Sequence, residues 1–253
     1  MLANMNETYL SGSEFDQPLF DGAPKTSYII CSTPRSGSTL LCSLMTKTGL
    51  LGVPHEYFHF SQHGQFLVNR FLPGNAQVDL NTYFDAIVRH RTTPNGLFGI
   101  KAHLNQAFPH FKSGFVTQYF GALKFVVIKR NDVLGQAISS VIADQTGKYT
   151  SHETAAAQPK YSSEAIESAA NSLLAQQYFW DNFLRVNRFE AMTVYYESLV
   201  ERPSNTLIEV CKFLGVDKEA ANIETDLTNA GLERESNETN ESWRQEYEKA
   251  FLV

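Results

Sequence analysis

The first strong apolar run, Tyr28-Ile29-Ile30-Cys31, has no polar break and ends in Ser32-Thr33-Pro34-Arg35-Ser36-Gly37. A short continuous apolar run bounded by turn residues reads as a strand buried on both faces. From Ser38 the spacing turns helical and stays so to about residue 48, where Gly49 and Gly52 stop it. Leu80, Tyr83, Phe84, Ile87 and Val88 then share one face of a helix over 79–91. The turn Thr93-Pro94-Asn95-Gly96 introduces a short strand at 97–101, and 123–129 is the best strand after the first. Asn131 and Asp132 cap a helix over 132–145, Ser162 and Ser163 open a long one to Val186, and 191–195 reads as a strand. Arg202-Pro203-Ser204 starts a helix to Leu214, and a last short helix falls near 241–252. The remaining segments carry weaker patterns: a loose arm over 1–26, loops and short helical turns over 59–78, a mobile loop over 147–161. In 103–120 the pattern is ambiguous, with a helix around Gln118 and Tyr119.

Strands alternating with helices make this an α/β chain, a parallel sheet flanked by helices. Ligands of such sheets sit beyond the carboxyl ends of the strands. Arg35, Glu56, Lys101 and Arg130 all lie just past expected strands or the first helix, which puts them within reach of one cleft. The sharpest of these places is the turn after the first strand. There a hydroxyl-rich loop with one arginine meets a helix start, so unpaired amides and the positive end of the helix dipole converge on an anion.

The loop differs from that of an ATP or GTP enzyme. A G-x-x-x-x-G-K-[ST] loop places its lysine on the β- and γ-phosphates. Here Gly37-Ser38-Thr39 supplies the final Gly-x-[ST], but Ser38 stands where the lysine belongs and Ser32 where the first glycine would be. Such a loop suits a donor with one 5′-phosphate carrying a sulfuryl group better than a triphosphate. At the end of 123–129, where a nucleotide triphosphatase offers an acid to its magnesium, this chain offers Lys129 and Arg130. That end reads as a second anion site. Glu56, next to the aromatic Tyr57-Phe58, is the candidate base; partial burial is expected to raise its pKa, and His55 and His59 are its rivals.

Composition sets limits on these readings. The chain has 253 residues, 43% hydrophobic and 19% charged, which suits one large domain with a full core. A net charge of −6 speaks against nonspecific binding to nucleic acid or membrane surfaces, so an anionic donor must be held by a few placed cations. Cys31, Cys42 and Cys211 lack metal-ligand or redox spacing and read as buried reduced thiols. Residues 1–26 have no basic start and no apolar stretch of signal-peptide type, and no run is long enough to span a membrane; the expectation is cytoplasmic.

Five blocks in order resemble the bacterial trehalose 2-sulfotransferase-like family, which uses 3′-phosphoadenosine-5′-phosphosulfate (PAPS). They are Arg35-Ser36-Gly37-Ser38-Thr39-Leu40-Leu41; Pro54-x-Glu56-aromatic-Phe58; Thr93-Pro94-Asn95-Gly96-x-x-Gly99-x-Lys101 with Asn105-Gln106; Arg130-x-Asp132-Val133 with Gln136-Ala137-x-Ser139; and Glu233-Arg234, Trp243 and Tyr247 in the tail. The resemblance spans about 28–247 and implies a P-loop-like sulfotransferase fold, an arm over 1–26 and a single domain over 27–253 with a closing C-terminal tail. It implies that Arg35, Ser36, Gly37, Ser38 and Thr39 cradle the 5′-phosphosulfate. Arg130 and Ser139 would hold the 3′-phosphate, Arg234 would lie on the closing loop, and Glu56 would accept the proton, leaving adenosine 3′,5′-bisphosphate as product. Lys101 either stabilises the transferring group or sits in a salt bridge beside it. A homodimer is implied too, and no metal is needed.

Pro34, Val53, His55, Glu56, Phe58 and Lys101 are the residues the resemblance brings to the acceptor. Trehalose-sulfating members carry Gln and Glu where this chain has Pro34 and Val53. Neither replacement can hydrogen-bond a sugar hydroxyl through its side chain, so trehalose is disfavoured while a carbohydrate or glycolipid hydroxyl stands. A P-loop kinase-like phosphotransferase and a non-catalytic nucleotide-binding protein are the competing readings.

Overall fold

The computed structural model describes residues 10–60, 64–74, 78–121, 123–149, 154–216 and 238–250. Among them four parallel strands, β1 (Thr26–Ser32), β2 (Leu97–His103), β3 (Leu123–Lys129) and β4 (Ala191–Tyr195), form one sheet in the order β2-β1-β3-β4. The chain leaves β1 for β2 on one side and returns for β3 on the other. The gap between the ends of β1 and β3 is therefore the switch point where such sheets bind ligands.

Alternation along β1 explains its unbroken apolar run. Tyr28 and Ile30 face one layer, with α1 (Ser38–Lys47) and α9 (Pro203–Leu214) supplying Leu41, Leu44, Met45, Leu207 and Val210. Ile29 and Cys31 face the other, against Phe84 of α3 (Leu80–Arg91), Val116 of α5 (Phe115–Phe120) and Trp180 of α7 (Ser163–Val186). A third cluster joins α6 (Val133–Thr146), α7 and α10 (Glu238–Lys249) around Trp243. The remaining helices are α2 (Gln65–Phe71), α4 (Leu104–Lys112) and α8 (Tyr196–Glu201). The ambiguous 103–120 stretch resolves into α4 and α5, broken at Gly114 with φ of 80°. The second strand runs two residues past its expected end, to His103. No helix among the described residues is long and apolar enough to cross a membrane.

The arm is a correction. Residues 10–20 are strapped to the body and not loose. Wholly buried Arg91 donates to the carbonyls of Leu10, Ser11 and Gly12 at 3.1, 2.9 and 3.2 Å and lies 3.3 Å from Asp16. Arg70 reaches Ser11 O and Asp16 as well, and Gln17 and Phe20 donate backbone bonds to His90 and Arg89. The physical reason lies in Arg91: a buried guanidinium needs acceptors, and the arm's carbonyls supply them to both terminal nitrogens. Replacing Arg91 by Met is expected to cost about 3 kcal/mol in urea unfolding, since the Leu10 and Gly12 carbonyls lose their donor and Ser11 O and Asp16 keep only Arg70. A change below about 0.5 kcal/mol would show the strap to be incidental.

Candidate active site

The loop after β1 is held in a conformation few sequences adopt. Arg35 and Gly37 have φ of 59° and 86°, and Gly37 caps α1, its carbonyl accepting from Leu41 N at 3.1 Å. Only glycine fits position 37, because a Cβ there would lie 2.3 Å from the ring of Tyr196. From α6, fully buried Gln136 donates to Thr33 Oγ1 at 2.8 Å and to Pro34 O at 2.6 Å, pinning the loop to its neighbour helix. Arg35 Nε donates to Ser139 Oγ at 2.9 Å, and Nη1 bonds the Tyr149 carbonyl. Ser36 is completely buried, yet its hydroxyl has no protein partner. Buried polar atoms are rarely left so, and one aimed into a helix-capping loop beside an arginine suits an anion.

The second strand end carries its own cation. Arg130, 18% exposed, lies over the Tyr196 ring at 5.0 Å and 3.3 Å from Asp132, while its buried Nε has no partner. Tyr196 thus lies against both loops, beside Gly37 and under Arg130. Asp132 caps α6 through Gly135 N at 2.9 Å and is held by Arg244 of α10 at 2.6 and 2.7 Å. Glu197 Oε1 accepts from the amides of Asn131 and Asp132 at 3.0 and 3.3 Å and braces the turn.

Glu56 sits where β2 and α1 meet the loop. Its Oε1 is 2.6 Å from Lys101 Nζ and 3.8 Å from His103 Nε2, and its Oε2 accepts from Gln106 Nε2 at 2.6 Å. Lys101 Nζ also donates to Thr39 Oγ1 at 3.3 Å, tying the carboxylate to the start of α1. The expected upward pKa shift of Glu56 is corrected. Burial pushes it up, but the charge of Lys101, then that of His103, and the hydrogen bonds from Lys101 and Gln106 outweigh it and hold the carboxyl well below its usual value. Burial lowers the Lys101 pKa most, but the charges of Glu56 and Cys42 and the hydrogen bond to Glu56 together outweigh it, so the net direction is upward. Glu56 and Lys101 are both ionised at neutral pH.

Ser36, Gly37, Ser38 and Thr39 surround the helix start, and Arg35 with Ser139 joins it to α6. Two expected acceptor residues are packed inside: Val53 is fully buried in the core beside Leu51, and Phe58, 3% exposed, stacks on His110 at 4.8 Å. His55 is turned inward: its Nδ1 accepts from Glu56 N at 2.7 Å and its carbonyl from Lys101 N at 2.9 Å, so it fixes the backbone that carries Glu56. Pro34 keeps its place at the loop, with its carbonyl used by Gln136. Arg234 lies outside the described residues. Tyr196, His103, Gln106 and Gln136 gather at the site without having been assigned roles from the sequence. For Gln106 and Gln136 the motif blocks were the available signal; for Tyr196 there was none. No group of three or more His, Cys, Asp or Glu among the described residues could hold a metal.

Comparison with known proteins adds the following. The chain is 25% identical over 262 residues to trehalose 2-sulfotransferase of Mycolicibacterium smegmatis, covering 88% of this chain and 95% of that protein. It is also 25% identical over 255 residues to trehalose 2-sulfotransferase of Mycobacterium tuberculosis, covering 87% and 93%. Solved structures similar to it include the sulfotransferase domain from the Synechococcus PCC 7002 olefin synthase, with a TM-score of 0.49, 18% identity and 90% of each chain covered. A sulfotransferase from Alicyclobacillus acidocaldarius matches with a TM-score of 0.48, 15% identity, and 89% and 92% covered. The model of one family, described as Stf0 sulphotransferase, matches residues 27–250, from the first strand through both strand-end loops to the last helix. A match of that extent, across the sheet and every part of the site, means that this chain belongs to the Stf0 sulphotransferase family.

Proposed function

We propose that this sulfotransferase takes its sulfuryl group from PAPS and delivers it to a hydroxyl of a carbohydrate or glycolipid. The observation that carries the reading is the buried, unpartnered Ser36 hydroxyl in a loop that also holds Arg35 and a helix start. The residues fit the donor: Arg35 and the amides before α1 would hold the 5′-phosphosulfate, while Arg130, with an unpartnered Nε, and Ser139 would hold the 3′-phosphate. When bound, PAPS supplies an activated sulfuryl group whose leaving phosphate gathers negative charge. Arg35 and the helix start face that charge and stabilise it without rearranging. Glu56 receives the acceptor's proton, and Lys101, bonded to both Glu56 and Thr39, sets the distance between base and loop. The carbohydrate class is supported by the trehalose 2-sulfotransferases among the relatives. Pro34 offers no side-chain hydrogen bond to a sugar, which favours an acceptor other than trehalose. The homodimer belongs to the same proposal and is read by light scattering.

The test is a thermal-shift titration with adenosine 3′,5′-bisphosphate, adenosine 5′-monophosphate and Mg·ATP. Selective stabilisation by the bisphosphate, about 2.7 kcal/mol at 100 times its dissociation constant, is expected. Stabilisation by Mg·ATP alone would replace this reading with a kinase-like one.

A further inference from the structure

We propose that His103 is the proton-accepting partner of Glu56, taking the acceptor's proton from the carboxylate onto its Nε2. The inference rests on the base role proposed above for Glu56.

The argument begins with which ring nitrogen carries hydrogen. His103 ends β2 in register with Ser32 of β1. Its Nδ1 lies 3.0 Å from Ser32 Oγ and 3.3 Å from Ser32 O. A carbonyl oxygen only accepts. The Ser32 hydroxyl also reaches Ala102 O at 3.2 Å, and giving its hydrogen there leaves it a lone pair for the ring. With the Ser32 carbonyl as acceptor, we assign the hydrogen of the neutral imidazole to Nδ1 and a lone pair to Nε2. That lone pair faces Glu56 Oε1 at 3.8 Å, and among the described residues no donor meets it. Trp180 Nε1, donating to the same Ser32 carbonyl at 3.4 Å, holds the backing of this arrangement.

Glu56 cannot keep a proton for long. Lys101 is bonded to Oε1, and Gln106 to Oε2. The Gln106 amide cannot flip to receive a carboxylic acid hydrogen, because its own oxygen accepts from His103 N at 2.9 Å. Each carboxylate oxygen is thus bonded to a donor, and His103 Nε2, 3.8 Å from Oε1, offers a lone pair able to take a proton. The 3.8 Å separation is of the kind that tightens when a site fills. In the balanced step, the acceptor oxygen bonds to sulfur, and the sulfur–oxygen bond to the donor phosphate breaks with its electron pair leaving on the bisphosphate. The hydroxyl proton passes to Glu56 and on to Nε2, and the imidazolium then returns it to solvent through its partly exposed edge.

The charges facing the ring agree. Burial lowers the His103 pKa most; Glu56 raises it, while Lys101 and His59 lower it, and the Ser32 carbonyl favours the protonated ring. The net direction is below 6.5, so the ring is neutral and receptive at neutral pH. Falling pH protonates it and removes the acceptor of the proton.

Long-range ¹H–¹⁵N spectra of ¹⁵N-histidine protein test the tautomer directly, with His103→Gln identifying the signal. The Nδ1–H form titrating below pH 6.5 is expected; an Nε2–H form at neutral pH overturns the proposal. The second arm measures transfer from PAPS to trehalose, glucose and an alkyl glucoside. His103→Gln is expected to lower kcat about 100-fold and move its acid limb downward, with the PAPS KM held. His103→Asn, which also lacks a titrating ring, should match it. His103→Gln with unchanged kcat and acid limb, while Glu56→Gln is inactive, sinks the His103 role alone. Full activity in Glu56→Gln sinks the base reading itself. A variant that fails to fold leaves the tautomer of the unmodified protein to decide.

Discussion

Glu56→Gln is expected to leave adenosine 3′,5′-bisphosphate binding within about twofold while cutting sulfuryl transfer by roughly 10²- to 10⁴-fold. The amide keeps the size of the carboxylate but cannot take a proton from a hydroxyl. Donor binding should survive because the carboxylate touches the loop only through Lys101 and Thr39. The variant also strands the Lys101 ammonium, whose side chain is 9% exposed, without its counter-ion. Unfolding free energy should therefore fall by about 3 kcal/mol, and Lys101→Met added to it should recover part of that loss. The pH dependence follows from the two shifts. Glu56 is held below 4.5, so its contribution is present above that value and is lost as pH falls through the lowered folded pKa. Lys101 is raised above 10.5, so its contribution is present below that value and is lost as pH rises through the folded pKa. The double variant should show weaker pH dependence on both flanks. Wild-type turnover in Glu56→Gln would remove the base from this carboxylate.

Gly37→Ala should abolish donor binding more completely than the loss of any single hydroxyl. The backbone at φ of 86° costs an alanine about 1–2 kcal/mol. The larger effect is steric, since the new methyl would lie 2.3 Å from Tyr196 Cδ2 and 3.0 Å from Cε2. Either the loop moves off the head of α1 or Tyr196 moves off Arg130, and both outcomes separate the two anion sites. Bisphosphate affinity should drop by at least about 100-fold in calorimetric titration. Gly37→Ala combined with Tyr196→Ala should recover part of it if the clash with the ring is the cause. Equal affinity in Gly37→Ala and the unmodified protein would remove the loop from donor binding.

The helices and strands were largely readable because their signals are local. The apolar run of 28–31, the Asp132 cap and the Gly-x-[ST] turn each act within a few residues, and 191–195 forms a strand with the bounds read from its pattern. The arm misled because its polar residues look solvated until Arg91, far along the chain, supplies the donor its carbonyls need. Val53 and Phe58, brought to the acceptor by the resemblance, are packed in the core, because a motif match does not say which way an apolar side chain points.

From the sequence alone follow the parallel α/β architecture, the hydroxyl-rich loop of Arg35–Thr39 at the first helix start, the cation after the third strand, and Glu56 within reach of both. Those follow from residue type and spacing. Tertiary structure alone decided the ionisation of Glu56, the pairing of Arg35 with Ser139, and the place of Tyr196 against both loops. It also decided the hydrogen on His103. A pKa or a tautomer is set by the sum of burial and the charges and hydrogen bonds within a few ångströms, and here those partners come from β1, β2, α1, α4 and α7, which only folding brings together.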